Sequence, residues 1–118
     1  MKIIDAKLSY QLQEAMKKAS ITQFNEIIQG IKSGVDVLMY ADTKYNWQQM
    51  FQIRVGLECG LNVSVYADEK YDWEQMQEIR LGLEQEVDVS EYLNPDYDWR
   101  TMRNIRKTLA KKRWRWRD

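Results

Sequence analysis

Histidine is absent from this sequence of 118 residues, and cysteine and proline occur once each. A chain without histidine lacks the commonest general base and the commonest metal ligand of proteins. Its one cysteine cannot form an intrachain disulfide, which favours an intracellular setting. We therefore expect no metal and no cofactor, and we expect the protein to be cytoplasmic.

Long apolar runs are also missing. No segment approaches the length of apolar sequence that a membrane-spanning helix needs, and no secretory signal pattern opens the sequence. No phosphate-binding glycine loop, zinc-protease motif or nucleophile elbow occurs. Cys59 falls near a predicted helix C-terminus beside Glu58, which disfavours a reactive thiolate. These absences predict no catalytic residues, no enzyme activity and no membrane partner.

Charge is distributed unevenly along the chain, although the formal net charge is zero. Residues 1–102, the acidic body, carry 10 Lys or Arg and 17 Asp or Glu. Residues 103–118, the basic tail, carry 8 Lys or Arg and one acid. Such asymmetry between segments indicates an electrostatic interaction, either within the protein or with a partner.

One phrase occurs three times at a spacing of 26 residues. Residues 25–50, 51–76 and 77–102 align without a gap, and each adjacent pair is identical at 12 of 26 positions. Self-similarity at a fixed period indicates one supersecondary unit per repeat. Such a unit cannot bury its apolar face alone, so neighbouring units must stack.

Each repeat contains a helix start. A good N-cap residue recurs in one column, and in three of four units a glutamine three positions later completes a capping box. The N-cap residues are Ser20, Asn46, Asp72 and Asp98, and the glutamines are Gln23, Gln49 and Gln75. Apolar residues follow at steps of three and four, as at Trp73, Met76, Ile79 and Leu83. The pattern predicts helices near 21–33, 47–59, 73–85 and 99–113.

Glycines recur at two places in these helices. Gly34 and Gly60 follow the predicted helix ends, where a left-handed residue is favourable, whereas Glu86 takes that place in the third unit. We therefore expect the third helix end to differ. A second glycine column lies in mid-helix, at Gly30, Gly56 and Gly82, where glycine is unfavourable. Its recurrence predicts that another group, from the next unit, packs against the bare backbone.

The segments between the helices are open to two interpretations. Alternation of Leu61, Val63 and Val65 suits a strand, which would give a strand-plus-helix solenoid. Glu91 breaks that alternation in the third unit. In the second interpretation, which we favour, Ser64 and Ser90 cap a short helical turn that carries the following tyrosine.

The predicted fold class is therefore all-α: a short, curved helical-repeat stack, right- or left-handed, built of 26-residue helix-plus-turn units. Residues 6–18 read as an amphipathic N-terminal capping helix, with Leu8, Leu12, Ala15 and Met16 at helical spacing. We predict a single domain of about five helices. Its parts are the cap at 1–19, the tandem repeats at 25–50, 51–76 and 77–102, and a truncated repeat with the basic tail at 103–118.

The repeat also resembles a known pattern. The phrase W-x-Q-M-x-x-I-R-x-G-L-E, followed by G-L-x-V-S-x-Y-A-D, is similar to a short tandem repeat of uncharacterised proteins from gut bacteria and their mobile elements. The resemblance covers residues 25–110, and Glu86 and Leu93 depart from its pattern. It implies a bacterial, mobile-element origin, and with the acidic body it suggests an inhibitor that imitates nucleic acid and occupies a host system such as a defence nuclease.

Two repeated columns invite functional interpretations. Trp47, Trp73 and Trp99 could form a ligand-stacking ladder, but a residue repeated with the structural period usually serves packing, and we expect core or inter-unit contacts. Arg54, Arg80 and Arg106 could form a row of anion donors. We expect instead that each pairs with a turn acid, such as Asp42, Asp68 or Asp88, and so joins adjacent units.

The basic tail is the part that the repeat does not explain. Arginine and lysine neutralise phosphates, and tryptophan stacks on bases or lies at interfaces. The tail could instead cap its own stack, or dock on the acidic body of another copy as a homo-oligomer. It could also bind an acidic protein, which we expect more than nucleic acid because the acidic body repels phosphates. The candidate partner-binding residues are Arg103, Arg106, Lys107, Lys111, Lys112, Arg113, Trp114, Arg115, Trp116 and Arg117.

These observations predict a non-enzymatic protein-binding helical-repeat module. The alternative is a nucleic-acid-associated protein that uses the basic tail.

Overall fold

The protein is all-α, as predicted. The computed structural model describes the backbone of residues 6–117 and the side chains of residues 10–113. The five α-helices are α1 (Ala6–Lys18), α2 (Ile21–Ser33), α3 (Trp47–Glu58), α4 (Trp73–Glu84) and α5 (Trp99–Arg117). Three short 3-10 turns lie between the repeat helices, at Val37–Met39, Val63–Val65 and Val89–Glu91. Residues 6–117 contain no strand, so the strand-plus-helix solenoid is wrong.

Two compact units make up the chain, Met1–Gly60 and Leu61–Asp118. In the first unit α3 packs on α2, and α1 packs on the 3-10 turn that follows α2. In the second unit α5 packs on α4. Consecutive repeat helices therefore pack on each other in both units, as an all-α repeat stack requires.

The predicted helix starts are confirmed. Ser20, Asn46 and Asp72 each form a complete capping box, in which the N-cap side chain accepts the N3 backbone N–H and the N3 glutamine accepts the N-cap N–H. In α5 the Thr101 backbone N–H donates to Asp98 Oδ1 at 2.8 Å. These reciprocal bonds satisfy the backbone donors that every helix start leaves without an intrahelical partner.

The N3 glutamines also connect each helix to the next turn. While Oε1 of Gln23 caps its own helix, Nε2 donates to the Tyr45 carbonyl oxygen at 2.6 Å. Gln75 repeats this arrangement and donates to the carbonyl oxygens of Pro95 and Tyr97 at 2.9 and 2.7 Å. A single side chain thus sets both where a helix begins and how the turn before the next helix lies.

The linking segments are 3-10 turns, which confirms the helical-turn interpretation but corrects their caps. The residue two positions before the predicted serine begins each turn: Asp36 accepts the Leu38 N–H, and Asp88 accepts the Ser90 N–H. Ser64 and Ser90 lie inside the turns and donate their hydroxyls to Asn62 and Asp88. An aspartate caps such a turn well because its side chain reaches a backbone N–H two residues on, whereas the Asn62 side chain accepts the Ser64 hydroxyl and no backbone N–H of its turn.

Two of the mid-helix glycines, Gly30 and Gly82, lie against a tyrosine ring. A Cβ at Gly30 would overlap the Tyr40 hydroxyl, and one at Gly82 would overlap the Tyr92 hydroxyl. Both hydroxyls donate to the helix backbone, Tyr92 to the Glu78 carbonyl oxygen at 2.8 Å. The predicted close approach is confirmed, but the tyrosine comes from the turn of the same 26-residue block, not from the next unit. Burial raises the pKa of both phenols well above the ordinary tyrosine value.

The core is built from repeated columns. Fully buried side chains recur at 26-residue spacing; they are Tyr40, Tyr66 and Tyr92, Met50, Met76 and Met102, and Ile27, Ile53 and Ile79. The tryptophan column is not part of this core. Trp47 is 42% exposed, and Trp73 and Trp99 are partly exposed. Trp47 therefore does not lie in the core, whereas the expected contact of this column between units stays a prediction.

The end of α4 matches the other helix ends, contrary to the sequence prediction. Glu86 adopts a φ of 58°, close to the 76° and 73° of Gly34 and Gly60. Its backbone N–H bonds the Leu83 carbonyl oxygen, and the Val87 N–H bonds that of Gly82. Tertiary packing therefore imposes the left-handed conformation on a residue with a Cβ, for which that conformation is strained.

Replacing Glu86 by glycine is expected to raise the free energy of unfolding by about 1 kcal/mol relative to Glu86→Ala. Both variants lose the ion pair between Glu86 Oε2 and Arg113 Nη2, 3.2 Å apart, so their difference isolates the left-handed backbone. Chemical denaturation with matched slopes measures it. Equal stabilities of the two variants would contradict the argument.

Candidate functional site

One face of α5 is exposed and basic. At 100° per residue, side chains three and four positions apart share a helix face. The basic face of α5 consists of four exposed residues at such steps, together with exposed Lys112, which lies about 100° round the helix from the last of them; the four are Arg100, Arg103, Lys107 and Lys111. The residues of 99–117 include nine Lys or Arg and no acid. From Arg100 to Lys111 the face is about 16 Å long, given the helical rise.

The helix runs further than predicted. The sequence pattern placed its end near residue 113, yet α5 continues to Arg117. Ala110 is still buried, with 9% of its surface exposed, so the helix retains a packed side one turn past the buried Arg106. The side chains of Trp114, Arg115, Trp116 and Arg117 lie outside the described residues.

Three lysines dominate the middle and end of the basic face. Lys107, Lys111 and Lys112 are exposed, and none of them forms an ion pair or side-chain hydrogen bond with another of the residues 10–113, whose side chains the structure describes. Their charges are therefore open to a partner.

An aromatic group begins the basic face. The guanidinium carbons of Arg100 and Arg103 lie 4.7 and 5.0 Å from the centre of the Trp99 ring. A cation over a tryptophan face is attracted by the ring quadrupole. Arg103 is 47% exposed at its side chain, and its Nε lies 3.9 Å from Glu78 Oε2. The cluster holds two arginines in place at the surface.

Arg106 does not belong to the basic face, although the sequence suggested it. It is 7% exposed, and its Nε donates to Glu78 Oε1 at 3.0 Å. Its Nη1 donates to Gln85 Oε1 at 2.9 Å. Arg106 therefore joins α5 to α4 and is committed to the fold.

The first unit contains the equivalent of this pair. Arg54 Nε donates to Glu26 Oε2 at 2.9 Å and Arg54 Nη1 donates to Glu58 Oε2 at 2.8 Å. Partial burial lowers the pKa of the Arg54 guanidinium, but the two carboxylates outweigh it and raise that pKa. Ion pairing in this column is confirmed.

The predicted partners of these arginines were wrong, however, because the acids come from helices. The turn acid Asp42 accepts the Lys44 backbone N–H, and Asp68 accepts that of Lys70. These carboxylates serve their own turns, which a count of opposite charges along the sequence does not reveal.

Arg113 has one contact at the surface. Its Nη2 lies 3.2 Å from Glu86 Oε2, and the two side chains are 36% and 71% exposed. A surface ion pair of this kind contributes little to stability.

Arg100 was missed among the candidate residues. The tail was defined by where the net charge changes sign, and Arg100 falls three residues before that point. The sequence did indicate that Arg100 belongs to this face, because Arg100 lies one turn before Arg103 in a helix already predicted to begin at Trp99.

The N-terminus of α5, the helix that carries the basic face, is capped by a side chain. The Thr101 backbone N–H donates to the Asp98 carboxylate, and this bond lowers the pKa of Asp98. A carboxylate at a helix N-terminus also interacts favourably with the helix dipole.

Other kinds of site were also sought. In the part of the chain that the structure describes, no group of three or more acids or cysteines could hold a metal ion. No helix among those residues is long and apolar enough to cross a membrane. Cys59 is an exposed residue at the C-cap of α3. No protein-family model, curated protein or solved structure matches this chain.

Proposed function

We propose that this chain is a non-enzymatic protein-binding module whose basic face contacts an acidic surface of a partner protein. The observation that supports it is the exposure of Lys107, Lys111 and Lys112 on a helix without a single acid. A cluster of one charge sign steers a complementary partner and raises its association rate.

The charge around α5 favours a short acidic partner over an extended polyanion. Residues 61–98 of the same unit carry eleven Asp or Glu and two Lys or Arg. A nucleic acid longer than the basic face would meet these acids and be repelled. An acidic helix or loop about as long as the face, about 16 Å, avoids them.

Nucleic-acid binding is the second candidate, and the Trp99 cluster favours it. Arginines that flank a partly exposed tryptophan resemble the stacking groups of proteins that bind single strands. Both candidates use the same face, so the probe has to distinguish them.

A narrower proposal follows from the resemblance of the repeat. There the partner is a bacterial host system such as a defence nuclease, and the protein inhibits it. The acidic body, not the basic face, would form that contact by imitating nucleic acid.

The test compares two charge-reversed variants by fluorescence anisotropy. The first changes Lys107, Lys111 and Lys112 to Glu; the second makes the same charge change off α5, at Lys17, Lys32 and Lys44. A short labelled poly-L-glutamate peptide, about as long as the basic face, should bind the intact chain. The first variant should lose about tenfold or more in affinity, or about 1.4 kcal/mol, and the second should lose little.

Three results would overturn the proposal. Equal loss in both variants would show that only net charge matters. A labelled DNA strand that binds more tightly than poly-L-glutamate, with a steep dependence on salt, would favour the second candidate. Dimerisation of the intact chain that disappears in the first variant would assign the basic face to self-association.

A further inference from the structure

The first repeat helix presents an exposed apolar stripe. Four apolar residues of α2 lie at steps of three and four; they are Ile21, Phe24, Ile28 and Ile31. Ile21 is 82% exposed, Ile31 45% and Phe24 38%. We call this set the α2 stripe. Such a row is unusual, because exposed apolar residues on soluble proteins are normally scattered singly.

The repeat identifies which face of the helix this is. The column of Phe24 holds Met50 in α3 and Met102 in α5, and both methionines are fully buried. The column of Ile28 holds Arg54 and Arg106, which pair with acids of the preceding helix. The stripe is therefore the face that a repeat helix turns toward its predecessor.

Among the described residues, 6–117, no preceding helix covers this face of α2. Helix α1 packs on the 3-10 turn after α2, where Ala15 is buried. An open groove of about 470 Å³ separates parts of α1 from residues 41–43. With α1 in this place, the exposed fractions of Ile21 and Ile31 remain large.

The residue types indicate what would cover it. Where α3 and α5 carry an arginine, α2 carries Ile28, so the occupant needs no carboxylate at that point. Ile27 and Ile79 are 0% exposed on α2 and α4, the helices on which α3 and α5 pack. If the occupant of the α2 stripe resembles α3 and α5, it is a helix with an apolar face.

We infer that the α2 stripe is a docking surface for an amphipathic α-helix of another protein. Its four residues span about 15 Å, or close to three turns, and anchors at such spacing are typical of helix-in-groove recognition. The exposed polar residues Asn25 and Lys32 border the stripe, as a polar rim borders an interface.

A second copy of this chain fits the stripe less well. The face of α5 on which a following repeat helix would pack is polar. It exposes Thr101, Asn104 and Thr108 at the positions where α4 carries Gln, Glu and Gly. A symmetric contact between two stripes would involve four residues on each side. A stable dimer buries about 800 Å² per partner, from some 20–30 residues.

A designed peptide tests the inference. The probe is a labelled, capped helical peptide with equal numbers of Lys and Glu and with leucines at helical steps matching the stripe. A scrambled peptide of the same composition, with leucines on all sides, is the control. We expect saturable binding of the first peptide only.

Variants locate the binding site. Phe24→Glu with Ile31→Glu should weaken binding at least about tenfold, which is about 1.4 kcal/mol. Thr22→Glu with Gln29→Glu makes the same charge change on an exposed side of α2 away from the stripe and should leave affinity within about twofold. Ile21→Ser, at the most exposed position, should also weaken binding while retaining the fold, which circular dichroism checks.

Three outcomes would overturn the inference: no binding of the matched peptide, equal binding of the scrambled one, or equal affinities of both Glu variants. A dimer of the intact chain that the Phe24→Glu, Ile31→Glu variant dissociates would assign the stripe to a second copy instead. The variant with Glu at 107, 111 and 112 should bind the peptide as the intact chain does, so this result is independent of the basic face.

Discussion

Replacing Arg106 by methionine is expected to lower the free energy of unfolding by about 3 kcal/mol. The change removes the partner of a carboxylate that is 2% exposed, and an unpaired buried charge costs about 3–5 kcal/mol. The lower end applies because Arg103 remains, with its Nε 3.9 Å from the other carboxylate oxygen of Glu78. Urea denaturation followed by tryptophan fluorescence measures the loss.

Two comparisons separate the buried charge from simple loss of a side chain. Lys107→Met, at the next residue on the exposed side, should change stability by no more than about 0.5 kcal/mol. Adding Glu78→Gln to the Arg106 variant should restore about 1–2 kcal/mol, since no buried charge then remains. Glutamine suits this column, because Gln52 already occupies it in α3. An equal loss in the single and double variants would refute the assigned cause.

The regular part of the fold was predictable because each signal is local. The capping residues and the 26-residue period fixed the helix starts, and Ser20, Asn46 and Asp72 cap as expected. The mid-helix glycines also indicated that another group packs closely against the helix backbone. The tyrosine that fills that space was not named, because sequence spacing alone does not show which side chain folds back onto a helix.

The errors share one physical origin, which is tertiary context. Glu86 adopts a left-handed conformation that its residue type disfavours, since the packing of the helix end and turn imposes it. Arg106 looked like part of a basic tail, yet the Glu78 carboxylate lies 28 residues earlier and is buried beside it. Composition describes the charge of a segment but not which of its charges the fold uses.

The basic face and the α2 stripe also differ in how far the sequence alone indicated them. The basic face was apparent from composition, because a run without acids remains basic wherever it folds. The α2 stripe was hidden, since the column of Phe24 is core in α3, α4 and α5, and the column of Ile28 holds arginines that pair with acids in α3 and α5. Only the exposed fractions of Ile21 and Ile31 in the structure show that this face of α2 is a surface and not part of the core.

Replacing Gly82 by alanine is expected to lower the free energy of unfolding by about 2 kcal/mol, against the usual trend. In an ordinary helix the same change stabilises by about 1 kcal/mol. Here the new Cβ would overlap the Tyr92 hydroxyl and lie 2.7 Å from Val89 Cγ1. Tyr92 is fully buried and its hydroxyl is bonded to the Glu78 carbonyl, so it cannot move aside without loss. Overpacking of this kind costs about 1–3 kcal/mol.

Tyr92→Phe provides the matched rescue, since it removes the atom nearest to the new methyl group. Alone it should cost about 1 kcal/mol, the net contribution of one buried hydrogen bond. Combined with Gly82→Ala, the loss should fall short of the sum by about 1 kcal/mol, which a double-mutant cycle measures. Thr108→Ala, in the same column of α5 but exposed, should stay within about 0.5 kcal/mol. A Gly82→Ala variant as stable as the parent would show that the ring does not lie against this backbone.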